Sequence, residues 1–324
     1  MIIGASPAII RTQAFINRIA AHDAPVLIEG ETGTGKELAA RAIHYQSRRR
    51  ERMFVPVNCG AIPEQLVESE LFGHRRGAFT DAKEDSAGLI ALANGGTLFL
   101  DEVDALPLKG QVALLRFLQD RQYRSVGGKN FVTADVRLIA ASNRNLTELV
   151  AAGVFRDDLL YRLKLLYLEM PPLRSRIGDA TLLARHFMQL GVERFNVAAQ
   201  EFHPDTLTWF ERYAWPGNVR ELENMVYREL LLNDGGPIVL ADAGIRQSSE
   251  RRNSPDRRRV EFDGLSYGEA KARVLAEFER RYLLQLVART SGNVTAAARL
   301  AGKERRSFGR LLQKHRIDRE LFAS

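Results

Sequence analysis

The sequence predicts an α/β fold, a parallel sheet with helices on both faces, followed by a helical subdomain and a small all-α domain. Three observations predict this order. Apolar segments of strand length alternate with amphipathic helical segments over the first 170 residues, which is the pattern of a parallel sheet covered by helices. Residues 176–232 show helical periodicity and no convincing strand. Another helical region follows a segment rich in Arg, Ser and Asp.

The predicted elements follow one another in a regular order along the chain. Strands are predicted at residues 26–29, 54–58, 97–101 and 136–140. Helices are predicted at residues 38–45, 111–119, 182–190, 204–213 and 219–231. We therefore place an α/β subdomain at residues 1–173, a helical subdomain at 174–242, a flexible linker at 243–264 and a third domain at 265–324.

Composition excludes several classes of protein. The 324 residues are about twice the usual length of one domain. Hydrophobic residues make up 45% and charged residues 27%, which excludes a disordered or collagen-like chain. Cys59 is the only cysteine, so an intramolecular disulfide and a thiolate zinc site are excluded. Apolar stretches are far shorter than the ~18 residues that span a bilayer, so we expect a cytoplasmic protein without membrane contact.

Positive charge is concentrated in the last quarter of the chain. Residues 246–324 contain 19 Lys or Arg against 10 Asp or Glu, a net charge of +9. Residues 1–245 contain 28 against 30, a net charge of −2. This asymmetry predicts a C-terminal domain that binds a polyanion, with nucleic acid as the first candidate. A solubilising tail is the alternative.

A phosphate-binding loop is predicted directly after the first strand. Residues 30–37 match the GxxxxGK pattern of a P-loop between a strand and a helix. Glycines allow backbone N–H groups to surround phosphate, and Lys36 can reach the β- and γ-phosphates. Glu37 stands where Ser or Thr usually ligates Mg²⁺. The loop consists of Gly30, Glu31, Thr32, Gly33, Thr34, Gly35, Lys36 and Glu37.

Two carboxylates follow the third predicted strand. Asp101 and Glu102 stand at its carboxyl end, where open parallel sheets bind their ligands. Asp101 can hold Mg²⁺, and Glu102 can polarise the water that attacks the γ-phosphate. ATP hydrolysis is the chemistry that this pair and the P-loop predict together.

Several further motifs, in a matching order, resemble one family over nearly the whole chain. They are GETGTGKE at 30–37, ELFGHRRGAFTDA at 70–82, RLIAASNRNL at 137–146, FRDDLLYRL at 155–163 and WPGNVRELEN at 215–224. The chain resembles the AAA+ ATPases that activate transcription by the sigma-54 form of bacterial RNA polymerase. That family carries Glu at the position of Glu37.

The resemblance implies roles for five further residues. Asn143 would sense the γ-phosphate, Asn58 would couple Glu102 to the nucleotide state, and Arg220 would contact phosphate from the helical lid. Arg156 and Arg162 would act as arginine fingers on the site of a neighbouring subunit, which makes hydrolysis depend on a ring. The alternative for both arginines is a surface salt bridge.

The resemblance also implies a mobile loop that contacts the sigma factor. This loop consists of Gly77, Ala78, Phe79, Thr80, Asp81 and Ala82. Asp81 replaces the second glycine of the family motif, which adds a negative charge and restricts the backbone. A core position is the alternative for Phe79.

The C-terminal residues predict a helix-turn-helix. One short helix ends near Gly302, and a second covers residues 305–315. The pair resembles the Fis-type DNA-binding domain of the same family, whose second helix enters the major groove. Small residues at 296–298 leave a protein-interaction bundle as the alternative. The candidate DNA contacts are Arg305, Arg306, Ser307, Arg310 and Lys314.

These features together predict an ATP-driven transcriptional activator. It would bind ATP and Mg²⁺, form a homo-oligomeric ring of six or seven subunits, hold an upstream activating site on DNA and remodel sigma-54 RNA polymerase. Because the P-loop begins at Gly30, we expect control by a separate regulatory protein, unless the chain is a piece of a longer one. Two alternatives stay open: a DNA-binding regulator that acts independently of sigma-54, and an ATPase that remodels another client.

Overall fold

The computed structural model describes residues 2–79, 82–233, 235–239, 279, 282–283, 286–287, 290, 293–303 and 305–315. The chain divides into one unit at residues 1–244 and a second at 245–324. Thr80, Asp81 and the predicted linker at 243–264 lie outside the described residues, as does most of the segment from 265 to 292. Of the described helices, none is long and apolar enough to span a bilayer.

The first unit contains a five-stranded parallel sheet and a two-stranded hairpin. The parallel strands have the order β2-β3-β6-β1-β7, and the hairpin pairs β4 with β5. Within the described residues the strands are β1 (Val26–Glu29), β2 (Phe54–Asn58), β3 (Thr97–Asp101), β4 (Gln122–Tyr123), β5 (Val132–Thr133), β6 (Arg137–Ser142) and β7 (Leu166–Glu169). Because the five strands are parallel, the loops after β1, β2, β3 and β6 meet at one edge.

Both faces of the sheet are buried, which confirms the predicted fold class. Along β3, Leu98 and Leu100 pack in one apolar cluster, and Phe99 between them packs in the cluster on the opposite face. Alternate residues of a strand point to opposite faces, so each strand contributes to both cores. The helices that cover them are α1 (Pro7–Ala20), α2 (Lys36–Tyr45), α3 (Val67–Phe72), α4 (Leu89–Leu92), α5 (Leu108–Asp120), α6 (Leu146–Ala151) and α7 (Asp157–Leu163).

Several elements of this unit were not predicted from the sequence, namely helices α1, α3, α4, α6 and α7 and strands β4, β5 and β7. α1 begins at Pro7, with the Ser6 hydroxyl accepting from the N–H of Ile9, and it buries one apolar face on the sheet. β7 has four residues of which one is fully buried, too short a pattern to predict a strand. The fourth predicted strand lies at Arg137–Ser142 rather than at 136–140, because pairing with β1 continues to Ser142.

A helical region follows the sheet within the same unit. It consists of α8 (Asp179–Phe195), α9 (Pro204–Arg212) and α10 (Asn218–Leu232). Their core surrounds Trp215, whose indole N–H donates to the carbonyl of Phe210 over 2.9 Å. All three helices were predicted. Among the described residues of this region, the one strand-like feature is a bridge between Phe202 and Ile238.

The second unit contains two described helices that agree with the predicted pair. They are α11 (Val294–Leu300) and α12 (Arg305–Lys314). Asn293 caps α11 by accepting from the N–H groups of Thr295 and Ala296, each over 3.1 Å. Gly302 in the turn has a φ of 64°, a conformation that glycine adopts at no steric cost. Phe308 and Leu312 bury the inner face of α12.

Candidate functional site

A cleft of about 400 Å³ opens where the carboxyl ends of the strands face α8 and α10. It brings together most of the residues that the sequence predicted to bind or hydrolyse ATP. From the sheet side these are residues 32–37, Asn58, Asp101, Glu102 and Asn143, and from the helical side Arg220. Gly30 and Glu31 do not line it.

The loop after β1 has the backbone of a phosphate cradle. Gly33 and Gly35 have φ values of 80° and 96°, which L side chains rarely adopt. A Cβ atom at Gly33 would lie 2.3 Å from the carbonyl oxygen of Gly217, so this position also needs glycine for space. α2 begins at Lys36, and its free N–H groups point toward an incoming anion.

The Lys36 ammonium is held inside this loop. Its Nζ donates to the carbonyl oxygens of Gly30 and Glu31, over 2.7 Å and 3.1 Å. Burial lowers the pKa of Lys36, while the nearby carboxylates of Asp101 and Glu102 oppose that shift. A triphosphate can replace the two carbonyls as the acceptor, because the phosphates carry full charges.

The two predicted carboxylates differ in their surroundings. Asp101 is partly buried at the end of β3 and its Oδ1 accepts the N–H of Glu102 over 3.0 Å. Burial raises the pKa of Asp101, chiefly by removing water from the charged form. Glu102 has a φ of 54°, a left-handed conformation that is uncommon for this residue type and is typical of functional sites.

Asn58 and Glu102 approach each other across Gly60. Asn58 Oδ1 accepts the N–H of Gly60 over 2.8 Å and the N–H of Ala61 over 3.2 Å. A Cβ atom at Gly60 would lie 2.5 Å from Glu102 Oε2 and 3.3 Å from Asn58 Oδ1. Gly60 therefore leaves room for the Glu102 carboxylate, a role that the sequence analysis missed because nothing local distinguishes this glycine.

Apolar residues form the other wall of the cleft, and none of them was predicted. Ile2 and Ile3 come from the N-terminal segment, Met170 follows β7, and Leu183 and Phe187 come from α8. An apolar wall beside a phosphate cradle suits a planar base. The residues are far apart in the sequence and carry no shared motif, so no sequence signal could have found them.

A buried ion pair holds the N-terminal segment against this wall. Arg176 donates to Asp179 over 2.9 Å and to the carbonyl of Ile3 over 2.8 Å. Asp179 also accepts from the backbone N–H groups of Ala5 and Ser6, over 2.7 Å and 2.9 Å. These contacts lower the pKa of Asp179, although burial acts in the opposite direction. The pair therefore keeps Ile2 and Ile3 beside the cleft.

The two predicted arginine fingers lie outside the cleft. Arg162 is exposed on α7. Arg156 precedes α7, is also exposed, and pairs with Asp158 over 2.7 Å. Neither side chain lines the cleft of its own chain.

The predicted sigma-factor loop is described except for Thr80 and Asp81. Gly77 donates its N–H to the carbonyl of Ala82 over 2.8 Å, so the two ends of the loop meet. Phe79 is 37% exposed and its ring lies edge-on to His74, with 4.9 Å between ring centres. Phe79 is therefore not a core residue.

The predicted DNA contacts fall on the outer face of α12. Arg305, Arg306, Ser307 and Arg310 are exposed. Lys314 is also exposed but it pairs with Glu279 over 2.8 Å, and Glu279 contacts the His315 ring as well. The Glu279 carboxylate therefore competes with a DNA phosphate for the ammonium of Lys314.

Comparison with known proteins places the chain among transcriptional regulators. Residues 2–169 match the sigma-54 interaction domain family, and residues 174–258 match the AAA+ ATPase lid domain family. The transcriptional regulatory protein GlrR of Escherichia coli (strain K12) is 41% identical, over 98% of this chain and 68% of its own length. The transcriptional regulatory protein ZraR of Klebsiella oxytoca is 44% identical, over 94% and 67%.

Solved structures agree with these relatives. The crystal structure of NtrX from Brucella abortus has a TM-score of 0.71 and 34% identity, covering 97% of this chain and 69% of that chain. A structure of the same protein in complex with ATP has a TM-score of 0.68 and 33% identity, with the same coverage.

Proposed function

The chain belongs to the sigma-54 interaction domain family of AAA+ ATPases, and on that premise we propose how it works as a regulator of sigma-54 transcription. A ring of subunits hydrolyses ATP with Mg²⁺ and remodels sigma-54 RNA polymerase, while the C-terminal domain holds an upstream DNA site. The proposal rests on one observation: a cleft brings together residues 32–37 of the P-loop with Asp101, Glu102, Asn143 and Arg220.

The residues of the cleft fit a magnesium nucleotide. Asp101 is a partly buried carboxylate beside Lys36. Carboxylate oxygens are ligands that Mg²⁺ prefers. Glu37 pairs with Arg41 over 2.8 Å, which leaves Asp101 as the better ligand. No cluster of three or more His, Cys, Asp or Glu able to hold a metal occurs among the described residues. Mg²⁺ commonly binds through one or two carboxylates plus substrate phosphates, and it would neutralise phosphate charge here.

Hydrolysis assigns a separate task to each polar residue. Lys36 and the loop N–H groups hold the phosphates, and Glu102 accepts a proton from the attacking water. Asn58 fixes the turn against which the Glu102 carboxylate rests. Asn143 and Arg220 contact phosphate from the sheet side and from α10. Arg156 and Arg162 reach the cleft of a neighbouring subunit, since they lie outside their own.

The sequence departure at Asp81 makes sigma-factor binding the sharpest test. We expect the purified protein to bind isolated sigma-54 factor in the presence of a transition-state nucleotide analogue. Thr80→Ala should abolish this binding. Asp81→Gly should keep or increase it, because the change restores backbone freedom and removes a charge that would lose water on contact.

The second candidate function rests on the same residue. If neither the wild type nor Asp81→Gly binds the sigma factor with any nucleotide, while ATPase activity and DNA binding persist, the protein is a regulator that acts independently of sigma-54. Transcription reconstituted from a sigma-54 promoter with purified components then gives the independent check.

DNA binding by α12 has its own experiment. Arg305→Ala or Arg306→Ala should weaken specific binding by ~1–3 kcal/mol if the side chain reads a base. An equal loss on all sequences would make the arginine a phosphate contact instead. Removal of residues 265–324 should eliminate site-specific binding and leave basal ATPase activity, and unchanged specific binding would refute the assignment.

A further inference from the structure

Glu31 lies in the P-loop, but its carboxylate faces the helical region instead of the cleft. The guanidinium of Arg174 donates to both carboxylate oxygens, over 2.8 Å and 2.5 Å. Asn218 Nδ2 donates to the same carboxylate over 3.1 Å. Arg174 stands in the short turn Leu173–Ser175 after the sheet, and Asn218 is the first residue of α10.

Asn218 connects these segments because it is fully buried and uses both ends of its amide. Its Oδ1 accepts the N–H of Leu173 over 2.8 Å, and its Nδ2 also donates to the carbonyl of Thr32 over 3.0 Å. Its φ of 53° is left-handed, a conformation that Asn tolerates better than most residues. Next to it, the N–H of Val219 donates to the carbonyl of Gly33 over 3.0 Å.

The connection leads directly to a predicted phosphate contact. Arg220 lies two residues after Asn218, and its Cβ lies 3.1 Å from the position of a Cβ built on Gly33. The loop that surrounds the phosphates and the helix that carries Arg220 are therefore joined at Glu31, Thr32 and Gly33. These hydrogen bonds couple the loop backbone to the start of α10.

The backbone of Glu31 also contacts the Lys36 side chain, which is expected to bind the phosphates. Its carbonyl accepts from Lys36 Nζ and, over 2.8 Å, from the Thr34 hydroxyl. The Lys36 ammonium has three N–H donors, so it can donate to a phosphate as well as to this carbonyl. A carboxylate so close to a triphosphate would repel it, and the Arg174 guanidinium neutralises that charge.

We propose that Glu31, Arg174 and Asn218 form a latch that holds α10 over the P-loop and sets how fast ADP leaves the cleft. Glu31 and Arg174 are positioning residues that act through Arg220. The latch deepens the proposed function, because it regulates the nucleotide cycle of the same site. Opening of the latch releases Arg220 from the phosphates without altering Lys36 or Glu102.

The test is a double-mutant cycle on the full chain. Glu31→Ala and Arg174→Ala should each speed the dissociation of a fluorescent ADP analogue by about tenfold, within the range of typical coupling energies. The double variant should also dissociate the ADP analogue about tenfold faster than the wild type, because each single change already removes the shared contact. For Arg174→Ala, the KM for ATP should rise by about the same factor while kcat stays within about threefold.

Controls separate the latch from general damage to the fold. Arg174→Lys keeps the charge without the two-pronged contact and should have an intermediate dissociation rate. Arg50→Glu breaks an exposed ion pair with Glu51 outside the cleft and should leave ADP dissociation unchanged.

Two outcomes would overturn the latch: single variants with wild-type ADP dissociation, or effects that multiply to about a hundredfold in the double variant. A wild-type protein that binds ADP without hydrolysing ATP would refute the proposed activity alone, because ADP dissociation still tests the latch.

Discussion

Arginines occupy two contrasting regions of this molecule. Arg220 lines the cleft, and Arg174 pairs with Glu31 of the P-loop outside it. At α7, Arg162 and Arg156 are exposed and lie outside the cleft of their own chain. One chain thus gathers the groups that bind a nucleotide, whereas the arginines expected to assist hydrolysis face outward. This contrast supports the proposal that one subunit binds the nucleotide and that a second subunit is needed for turnover.

The largest effect is expected from Lys36→Ala, which removes the ammonium of the P-loop. Lys36 is the ammonium that the P-loop directs at the phosphates, so ATP binding should be lost and turnover with it. Isothermal titration with ATP measures the loss. Retained tight binding would show that backbone N–H groups and the helix dipole alone hold the nucleotide.

The outward-facing arginines should affect turnover without affecting binding. Arg162→Ala or Arg156→Ala should lower kcat by about 10³-fold or more, because an arginine finger neutralises charge in the transition state. Each variant should still bind ATP.

Mixing experiments sharpen this part of the comparison. Co-assembly of Arg162→Ala with Glu102→Gln should restore some phosphate release, since shared sites then contain one intact copy of each group. The assemblies must be shown to contain both variants. If no mixing ratio then restores turnover, each arginine acts on the cleft of its own subunit.

Glu102→Gln should separate binding from chemistry inside the cleft. The amide cannot accept the proton of the attacking water, so turnover should fall by ~10²–10⁴-fold. ATP affinity should stay near that of the wild type, because Lys36 and the loop remain. Phosphate release in a single turnover gives the rate. Normal turnover would show that Glu102 is not the group that accepts the proton.

The smallest effect concerns stability at the P-loop. Arg174, more than any other group, lowers the pKa of Glu31 from 4.5 to about 2. A carboxylate with a lowered pKa stabilises the fold above its ordinary pKa and loses this contribution as the pH falls toward the lowered value.

Glu31→Gln should therefore unfold at a slightly lower temperature than the wild type at neutral pH. The partly exposed pair is worth at most about 1 kcal/mol. The difference should be constant between about pH 6 and 8 and should shrink below about pH 4.5. Thermal unfolding of both proteins across this range measures it, and a difference that grows on acidification would contradict the assignment.

Much of the fold could be predicted because its signals are local. β1, β2 and β3 occur where apolar segments of four or five residues end in polar side chains. α1 and β7 were missed because their burial depends on the sheet beneath them rather than on their own patterns. The predicted linker at 243–264 lies outside the described residues.

The site divides in the same way. The P-loop and the acidic pair could be placed from the sequence, because strand, glycine spacing and charge occur within a few residues of one another. Gly60 could not be identified from the sequence, because its importance depends on Glu102, which is distant along the chain. Arg176 could not be identified either, because its partner Asp179 lies outside any recognised motif.

Residue type and spacing predict the alternation of strands and helices, the phosphate loop, the carboxylates after β3 and the basic C-terminal helix. Those features follow from residue type and spacing, which act over one or two turns of chain. The tertiary structure alone decided that Glu31 faces Arg174 and Asn218 instead of phosphate, and that Lys314 pairs with Glu279. The partner of a side chain depends on which residues the tertiary packing brings near it, and the neighbours along the chain do not specify those residues.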